Sequence, residues 1–352
     1  MKALPSFLLL SAIFYLHCLS YLSRTRVALA AETKNKGTGT RPPVEYVVIE
    51  EQIIEHRAKN TTHDIKKTLE TIRNIPTTSP YYWLNERERE AFHLVSMLAS
   101  IGFCRDFGDH GFGCGKKCDY FPNMKFFGHF LTHVHDVNGY VAYDEQAETI
   151  IVGWGGSSTI VNFLDDVKIS MVFHGRVGSG VLVHRGFQLA YNEAREGVIT
   201  LLSLLVQRYP KYTVLVTGHS LGAALAILHV VDIYSYFPQL RVKPNQIRLH
   251  TFGQPRVGNQ LFADYVKQLP IVAKFVVQER DPIPHRPPAA LGWRQAGTEI
   301  WVANERGDML QCLPSDSRYC SKSIYPYFKW KNHLFYMGQR LGSPGCKGIP
   351  GK

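Results

Sequence analysis

The stretch YTVLVTGHSLGAALAIL occupies residues 212–228 and decides the fold prediction for this chain. Its first part, up to Thr217, is an apolar run that predicts a buried strand, and the part from Ala223 predicts a buried helix. Between them, Gly218-His219-Ser220-Leu221-Gly222 matches the G-x-S-x-G nucleophile elbow, in which a sharp turn presents a reactive serine at a helix N-terminus. Ser220 is therefore a candidate nucleophile, and an ordinary helix-capping serine is the alternative.

Outward from this stretch, strand-like and helix-like segments alternate along the chain. Strands are predicted at residues 149–154, 247–252, 273–277 and 299–302, and helices at 86–101 and 187–209. This alternation predicts an α/β fold with a mainly parallel central sheet flanked by helices.

The N-terminus has the composition of a secretory signal peptide over residues 1–30. Lys2 precedes an apolar stretch over residues 3–22, and Ala28-Leu29-Ala30 resembles a cleavage site. A retained signal anchor is the alternative. No later segment is long and apolar enough to span a bilayer. We therefore expect a secreted, extracellular protein.

Residues 31–84 are interpreted as a pro-region or N-terminal extension, and residues 85–352 as the folded domain. Up to about residue 80 the sequence has no cysteine after the predicted signal peptide and no convincing core pattern. An amphipathic helix is predicted near residues 44–72. Asn60-Thr61-Thr62 is the only N-x-[ST] sequence, which makes Asn60 a glycosylation candidate.

Six cysteines follow the predicted signal peptide. They are Cys104, Cys114, Cys118, Cys312, Cys320 and Cys346. Cysteines of secreted proteins generally form disulfides, and six of them allow fifteen pairings. Local spacing favours Cys114–Cys118 and Cys312–Cys320, which leaves Cys104–Cys346 to join the two ends of the domain. A zinc site at the first pair is disfavoured, because no second ligand pair with suitable spacing follows.

The formal net charge is +11. No dense block of Lys and Arg occurs, which disfavours nucleic acid as a partner. A spread positive charge favours anionic lipid surfaces or acidic cell-wall polymers, and a generally basic solvated surface is the simpler interpretation.

A nucleophilic serine requires a base, and the base requires an orienting carboxylate. In α/β-hydrolases these follow the serine in the order carboxylate, then histidine. Asp281 is the best carboxylate, because it follows the predicted strand at 273–277, and site residues of open α/β sheets collect at strand C-termini. Glu279 and Asp264 are weaker candidates, and an ordinary surface aspartate is the alternative role for Asp281.

His333 is the preferred base. The other late histidine, His285, lies too close to Asp281 in sequence to approach it easily from across a site. A structural histidine at a helix start is the alternative role for His333. His219, inside the elbow, is interpreted as a packing residue.

Four motifs between residues 85 and 346 resemble those of the secreted class 3 lipases of filamentous fungi. They are VTGHSLGAA at 216–224, TFGQPRVGN at 251–259, ERDPIPHRPP at 279–288 and HLFY at 333–336. The resemblance implies an α/β-hydrolase fold and a catalytic triad of Ser220, Asp281 and His333. It also implies the disulfide pairing given above, and a pro-region that acts on the mature domain.

The oxyanion of an acyl-transfer intermediate needs hydrogen-bond donors. The Leu221 backbone N–H, directly after the nucleophile, is one candidate. The resemblance places the second at Ser157, through its N–H and hydroxyl. The family usually has arginine two places before this serine, where this chain has Gly155. This difference affects the contacts that the arginine would make with a lid over the site, and it does not affect the catalytic chemistry.

Residues 158–166 predict a short amphipathic helix beside this donor. Ile160, Phe163 and Leu164 share one helical face, and Val161 lies within the same segment. We interpret the segment as a lid that covers the site in water and buries its apolar face in lipid when open. A helix packed in the core is the alternative.

These inferences predict a secreted lipase that hydrolyses carboxylic esters of acylglycerols at lipid–water interfaces, with no cofactor or metal. Its expected partners are the lipid substrate and the surface of a membrane or lipid droplet. Alternatives on the same fold are a feruloyl or other polysaccharide esterase and a phospholipase A1, and a non-catalytic lipid-binding protein is the alternative of a different class. The apolar lid favours acylglycerols, and the complete triad disfavours a binding role alone.

Overall fold

The computed structural model describes residues 45–48, 64–105, 114–156, 170–174, 177–235, 237–240 and 242–342. Several residues named above lie outside these ranges: the predicted signal peptide, Asn60, Ser157, the predicted lid with Ile160, Val161, Phe163 and Leu164, and Cys346.

The described chain alternates strands with helices. The strands are β1 (Glu45–Val48), β2 (Tyr81–Trp83), β3 (Met124–Leu131), β4 (Asn138–Asp144), β5 (Thr149–Trp154), β6 (Met171–Phe173), β7 (Leu182–His184), β8 (Thr213–His219), β9 (Ile247–Phe252), β10 (Gly258–Asn259), β11 (Val272–Gln278), β12 (Trp293–Arg294), β13 (Thr298–Val302), β14 (Met309–Cys312), β15 (Phe335–Tyr336) and β16 (Gln339–Arg340). The helices are α1 (Ile65–Arg73), α2 (Glu86–Ile101), α3 (Arg185–Arg208), α4 (Leu221–Ser235), α5 (Gln260–Gln268) and α6 (Trp330–Leu334).

In the described chain, the central sheet has ten strands in the order β1-β3-β4-β5-β8-β9-β11-β13-β14-β2. The five central strands, β5, β8, β9, β11 and β13, run parallel, and the outer strands on both sides are antiparallel. The parallel sheet predicted from sequence is thus confirmed for the centre. Parallel strands covered on both faces read as continuous apolar runs, which is why this part was visible in the sequence.

Alternate residues of β8 enter different cores. Val214 and Val216 pack in the core formed with α3 and α4, whereas Leu215 packs in the core formed with α1 and α2. Successive side chains of a strand point to opposite faces, so β8 supplies both cores and the domain has three layers. Within the ranges that the structure describes, no helix has the length and apolarity needed to cross a bilayer.

The N-terminal segment differs from its sequence prediction. Within residues 44–72, the structure has strand β1 and the nine-residue helix α1 rather than one long helix. The Asp64 side chain caps α1 by accepting from the Lys67 N–H at 3.1 Å. Ile65, Leu69 and Ile72 are buried against α2, so the expectation of no core pattern in this part of the chain was wrong.

Two short-range disulfides are present, Cys114–Cys118 and Cys312–Cys320. Cys104 is also disulfide-bonded. Its predicted partner, Cys346, lies outside the described residues, so the pairing of these two remains a prediction. The bond between Cys114 and Cys118 removes the zinc alternative for that pair.

We expect Leu69→Ala to lower the free energy of unfolding of the unprocessed chain by about 2–5 kcal/mol, because it leaves a cavity between α1 and α2. Leu204→Ala is the matched control: Leu204 is also helical but 44% exposed, against 3% for Leu69. Thermal or urea unfolding of both variants measures the difference. An equal loss of unfolding free energy in both variants would show that the packing of α1 on α2 does not stabilise the domain.

Candidate active site

The turn between β8 and α4 places Ser220 at the edge of the sheet. Ser220 has φ 60°, a left-handed conformation that is strained for a residue with a side chain. The flanking glycines make this turn sterically feasible. A Cβ at Gly218 would lie 2.5 Å from the Gly222 carbonyl oxygen, and a Cβ at Gly222 would overlap the Trp154 carbonyl oxygen. The elbow predicted from sequence therefore has the geometry that its glycines require.

Ser220, His333 and Asp281 form one chain of hydrogen bonds. The Ser220 Oγ lies 2.7 Å from the His333 Nε2, and the His333 Nδ1 lies 2.9 Å from the Asp281 Oδ2. All three are buried, with exposed fractions of 4%, 1% and 0%. With Nδ1 protonated, His333 donates to Asp281 and its Nε2 accepts the serine proton. This is the arrangement in which a serine can be activated as a nucleophile.

Asp281 reaches the site from the end of β11. Parallel β8, β9 and β11 end at the same edge of the sheet, and the chain after β11 turns sharply, since the Asp281 N–H donates to the Gln278 carbonyl oxygen at 2.9 Å. The Glu279 N–H donates to Val302 of the next strand at 2.8 Å. The turn therefore directs the carboxylate back across the strand ends towards Ser220.

His333 is held on the short helix α6 by bonds on both sides. Before it, the Lys329 N–H donates to the carbonyl oxygen of Arg280, the neighbour of Asp281, at 2.9 Å. After it, the Met337 N–H donates to the Gln278 Oε1 at 3.0 Å. The segment that carries His333 is thus bonded to the loop that carries Asp281.

Two further donors satisfy the Asp281 carboxylate. The Ile283 N–H donates to Oδ1 at 2.8 Å, and the Tyr336 hydroxyl donates to Oδ2. Burial, and secondly the charge of Asp281, raise the pKa of Tyr336 well above its ordinary value, so the hydroxyl stays protonated. Tyr336 lies within the HLFY motif, but no sequence pattern indicated its role. Its position three residues after His333 was the available signal.

His219 holds the backbone of His333. Its Nε2 lies 2.9 Å from the His333 carbonyl oxygen, which can only accept, so Nε2 carries the proton. Burial, and secondly the nearby His333, hold the pKa of His219 well below its ordinary value, so the ring remains neutral. The predicted packing role therefore includes a specific hydrogen bond.

Gly253, after β9, is a second residue of the site whose role no sequence pattern indicated. It has φ 58°, and a Cβ there would lie 3.0 Å from the His333 Cε1 and 3.1 Å from the Asp281 Oδ2. A glycine is needed both for this backbone conformation and for space beside the imidazole.

The weaker sequence candidates lie in other contacts. His285 stacks on Phe328, with ring centroids 5.3 Å apart, and burial lowers the pKa of His285 to about 4. Glu279 accepts from its neighbour Gln278, and Asp264 accepts from Gln260 on the same helix. None of the three takes part in the hydrogen bonds that join Ser220, His333 and Asp281.

Leu221 is the first residue of α4, so its N–H has no acceptor one turn earlier in the helix. Gly156 lies against this helix start, where a Cβ would be 3.2 Å from the Gly222 nitrogen. Ser157 follows directly and lies outside the described residues. Gly155, where arginine was expected, has no room for a side chain, because a Cβ there would overlap the Gly102 carbonyl oxygen.

The chain is similar in sequence to proteins of a known family. Residues 151–291 match the family model described as lipase (class 3). The lipase of Rhizomucor miehei is 37% identical over 227 residues, which are 64% of this chain and 62% of that protein. The lipase of Rhizopus niveus is 30% identical over 256 residues, 72% of this chain and 64% of that protein. The chain thus aligns with slightly less than two thirds of the length of these curated relatives.

The matches to solved structures cover nearly the whole length of the matched chains. A triacylglycerol lipase whose catalytic centre is described as a serine protease triad is 33% identical, with a TM-score of 0.70, and the match covers 76% of this chain and 99% of that one. A propeptide complex of Rhizomucor miehei lipase is 30% identical, with a TM-score of 0.70, and covers 82% of this chain and 96% of that one. The chain therefore belongs to the class 3 lipase family and has the predicted α/β-hydrolase fold.

We expect Tyr336→Phe to lower kcat by about tenfold with little change in KM. A hydrogen bond to a charged group contributes about 1.5–3 kcal/mol, and this one is directed at Asp281 rather than at a substrate position. Tyr140→Phe is the control, since its buried hydroxyl donates to the Leu98 carbonyl oxygen away from the triad. Steady-state kinetics on a dissolved ester would refute the role of Tyr336 if both variants lost kcat equally.

Proposed function

We propose that this chain is a serine lipase that hydrolyses carboxylic esters of acylglycerols through an acyl-enzyme intermediate. The observation that carries the proposal is the buried hydrogen-bond chain from Ser220 through His333 to Asp281, with donor–acceptor distances of 2.7 and 2.9 Å. A family relative with a triad is named as a triacylglycerol lipase, which supports the substrate class.

In the acylation step, the Ser220 Oγ attacks the ester carbonyl carbon while His333 Nε2 takes the hydroxyl proton. A bond forms between Oγ and the carbonyl carbon, and the carbonyl electron pair moves to the oxygen. When the tetrahedral intermediate collapses, the bond to the leaving alcohol breaks and His333 returns the proton to the alcohol oxygen. The Asp281 carboxylate stabilises the imidazolium that exists between these events.

In the deacylation step, a water molecule takes the place of the alcohol. His333 removes its proton, the hydroxide oxygen bonds to the acyl carbon, and the bond to Oγ breaks, so that Ser220 regains its proton and a fatty acid leaves. The negative oxygen of both intermediates is assigned to the Leu221 N–H and to Ser157. The helix N-terminus at Leu221 adds a favourable partial positive charge.

The site of action is proposed to be a lipid–water interface. The support is the amphipathic pattern of residues 158–166, where Ile160, Phe163 and Leu164 share one face. An apolar lid would be costly to expose in water and would bury its face in lipid, whereas a dissolved ester does not require such a switch.

Secretion and processing are part of the same proposal. The signal-like composition of residues 1–30 and the disulfides support an extracellular enzyme. The match to a propeptide complex supports a pro-region before the mature enzyme. Since Ile65, Leu69 and Ile72 are buried against α2, a pro-region cleaved after α1 would stay bound through these apolar contacts until displaced.

We expect Ser220→Ala to reduce kcat by more than about 10,000-fold, because the nucleophile is removed. His333→Ala should be similarly inactive. His285→Ala should lose less than about tenfold, which is below the 10²–10⁴-fold contribution of a general base. Circular dichroism checks that each variant is folded. The reverse ranking of the two histidine variants would move the base to His285.

Substrate comparison separates the lipase from its alternatives. The wild-type rate on a triacylglycerol should rise steeply as the substrate passes from dissolved monomer to emulsion, and should exceed the rates on a phospholipid and a feruloyl ester. Titration of released acid measures all three. A higher rate on the feruloyl ester, with no rise at the solubility limit, would favour the polysaccharide esterase instead.

A further inference from the structure

Exposed aromatic side chains and lysines alternate directly before His333. Residues 325–331 read YPYFKWK and are named here the aromatic–lysine segment. The exposed fractions are 67% for Tyr325, 73% for Tyr327 and 42% for Trp330, and both Lys329 and Lys331 are exposed. Single exposed aromatic side chains are common, but three within one short segment form an apolar patch of the kind found at interaction surfaces.

The segment is anchored beside the active site. Phe328 stacks on His285 in the domain, with ring centroids 5.3 Å apart. The Trp330 ring centroid lies 5.4 Å from that of His333. The anchor and the contact with the base fix the exposed aromatic residues next to the catalytic edge of the sheet.

Along the sequence, the charge of the C-terminal stretch that contains this segment has one sign, although glutamates, among them Glu90 and Glu305, line the same cleft as Lys329 and Lys331. Asp316 is the last acidic residue in the sequence, and residues 317–352 contain seven Lys and Arg. Within the described part of that stretch, Arg318, Lys322, Lys329 and Lys331 are exposed. The segment itself is therefore electrostatically complementary to an anionic surface.

We propose that the aromatic–lysine segment docks the protein on an anionic lipid–water interface. Tyr325, Tyr327 and Trp330 enter the headgroup region, where aromatic rings with a polar atom are favoured, and Lys329 and Lys331 lie against lipid phosphates. Docking through this segment turns the Ser220 site towards the lipid. The inference rests on the proposed lipase function, adds the charge of the preferred interface, and is independent of the predicted lid.

Vesicle binding by the full chain carrying Ser220→Ala tests the proposal without turnover. The vesicles are phosphatidylcholine alone, or mixed with phosphatidylglycerol. The double variant Lys329→Gln/Lys331→Gln should bind the anionic vesicles about 25-fold more weakly, because each lysine near such a surface contributes about 1 kcal/mol, or about fivefold. Both substitutions change only side chains, so they keep the backbone hydrogen bonds of the segment.

The matched control is Lys211→Gln/Lys243→Gln. These lysines are also exposed, and they precede β8 and β9, at the opposite edge of the sheet from Ser220. The change in net charge is identical, so a surface-wide electrostatic attraction would weaken equally in both double variants. The proposal expects the control to bind nearly as the parent does.

Two measurements locate the aromatic contact. Tyr327→Ser should weaken binding several-fold on both kinds of vesicle. Brominated phospholipid should quench tryptophan emission of the bound protein, and Trp330→Phe should remove most of that quenching.

Equal binding to both vesicle types, equal loss in the two lysine double variants, or quenching unaffected by Trp330→Phe would overturn the proposal. Failure of docking with intact wild-type lipase activity would leave the proposed function standing, whereas an inactive wild type would refute that function whatever the vesicles show.

Discussion

The contact between the Gly222 backbone and the end of β5 is the constraint on which the rest of the site depends. A Cβ at Gly222 would overlap the Trp154 carbonyl oxygen, and one at Gly218 would lie 2.5 Å from the Gly222 carbonyl oxygen. Helix α4 can therefore start directly at the sheet edge, with Ser220 held at φ 60° between strand and helix. This strained turn fixes the Ser220 side chain and the Leu221 N–H together, and the surrounding packing must maintain it.

Around this turn, the described residues of the site surround the Asp281 carboxylate with hydrogen-bond donors. Burying a carboxylate is costly unless its oxygens accept hydrogen bonds, and Asp281 receives them from His333, Ile283 and Tyr336. His219 stays neutral through burial and fixes the backbone of the base. Because none of these partners can be lost without leaving a buried polar group unpaired, the site is held in one geometry.

The N-terminal segment contributes more to the architecture than its polar composition indicates. β1 and β2 form the two outermost strands of the ten-stranded sheet, paired to β3 and β14 respectively. α1 lies between them in sequence and packs on α2. A segment interpreted as a removable extension therefore provides both edge strands of the described sheet. Both are short, with four and three residues, and short edge strands offer few unpaired backbone groups to another chain.

The local sequence determined the strands and helices whose hydrophobic patterns are strong. The glycine-flanked Ser220, the strands β5 and β9, and the helix α2 were predicted within a residue or two, because continuous apolar runs and 3.6-residue periodicity arise from local geometry. The order of Ser220, Asp281 and His333 came from motifs. Only the tertiary structure decided that α1 and β1 replace a long helix, that Tyr336 and His219 orient the triad, and that Gly253 makes space for it. These features depend on contacts between residues that are far apart in sequence, such as the 114 positions between His219 and His333. No local pattern specifies a contact that is made only when distant strands align.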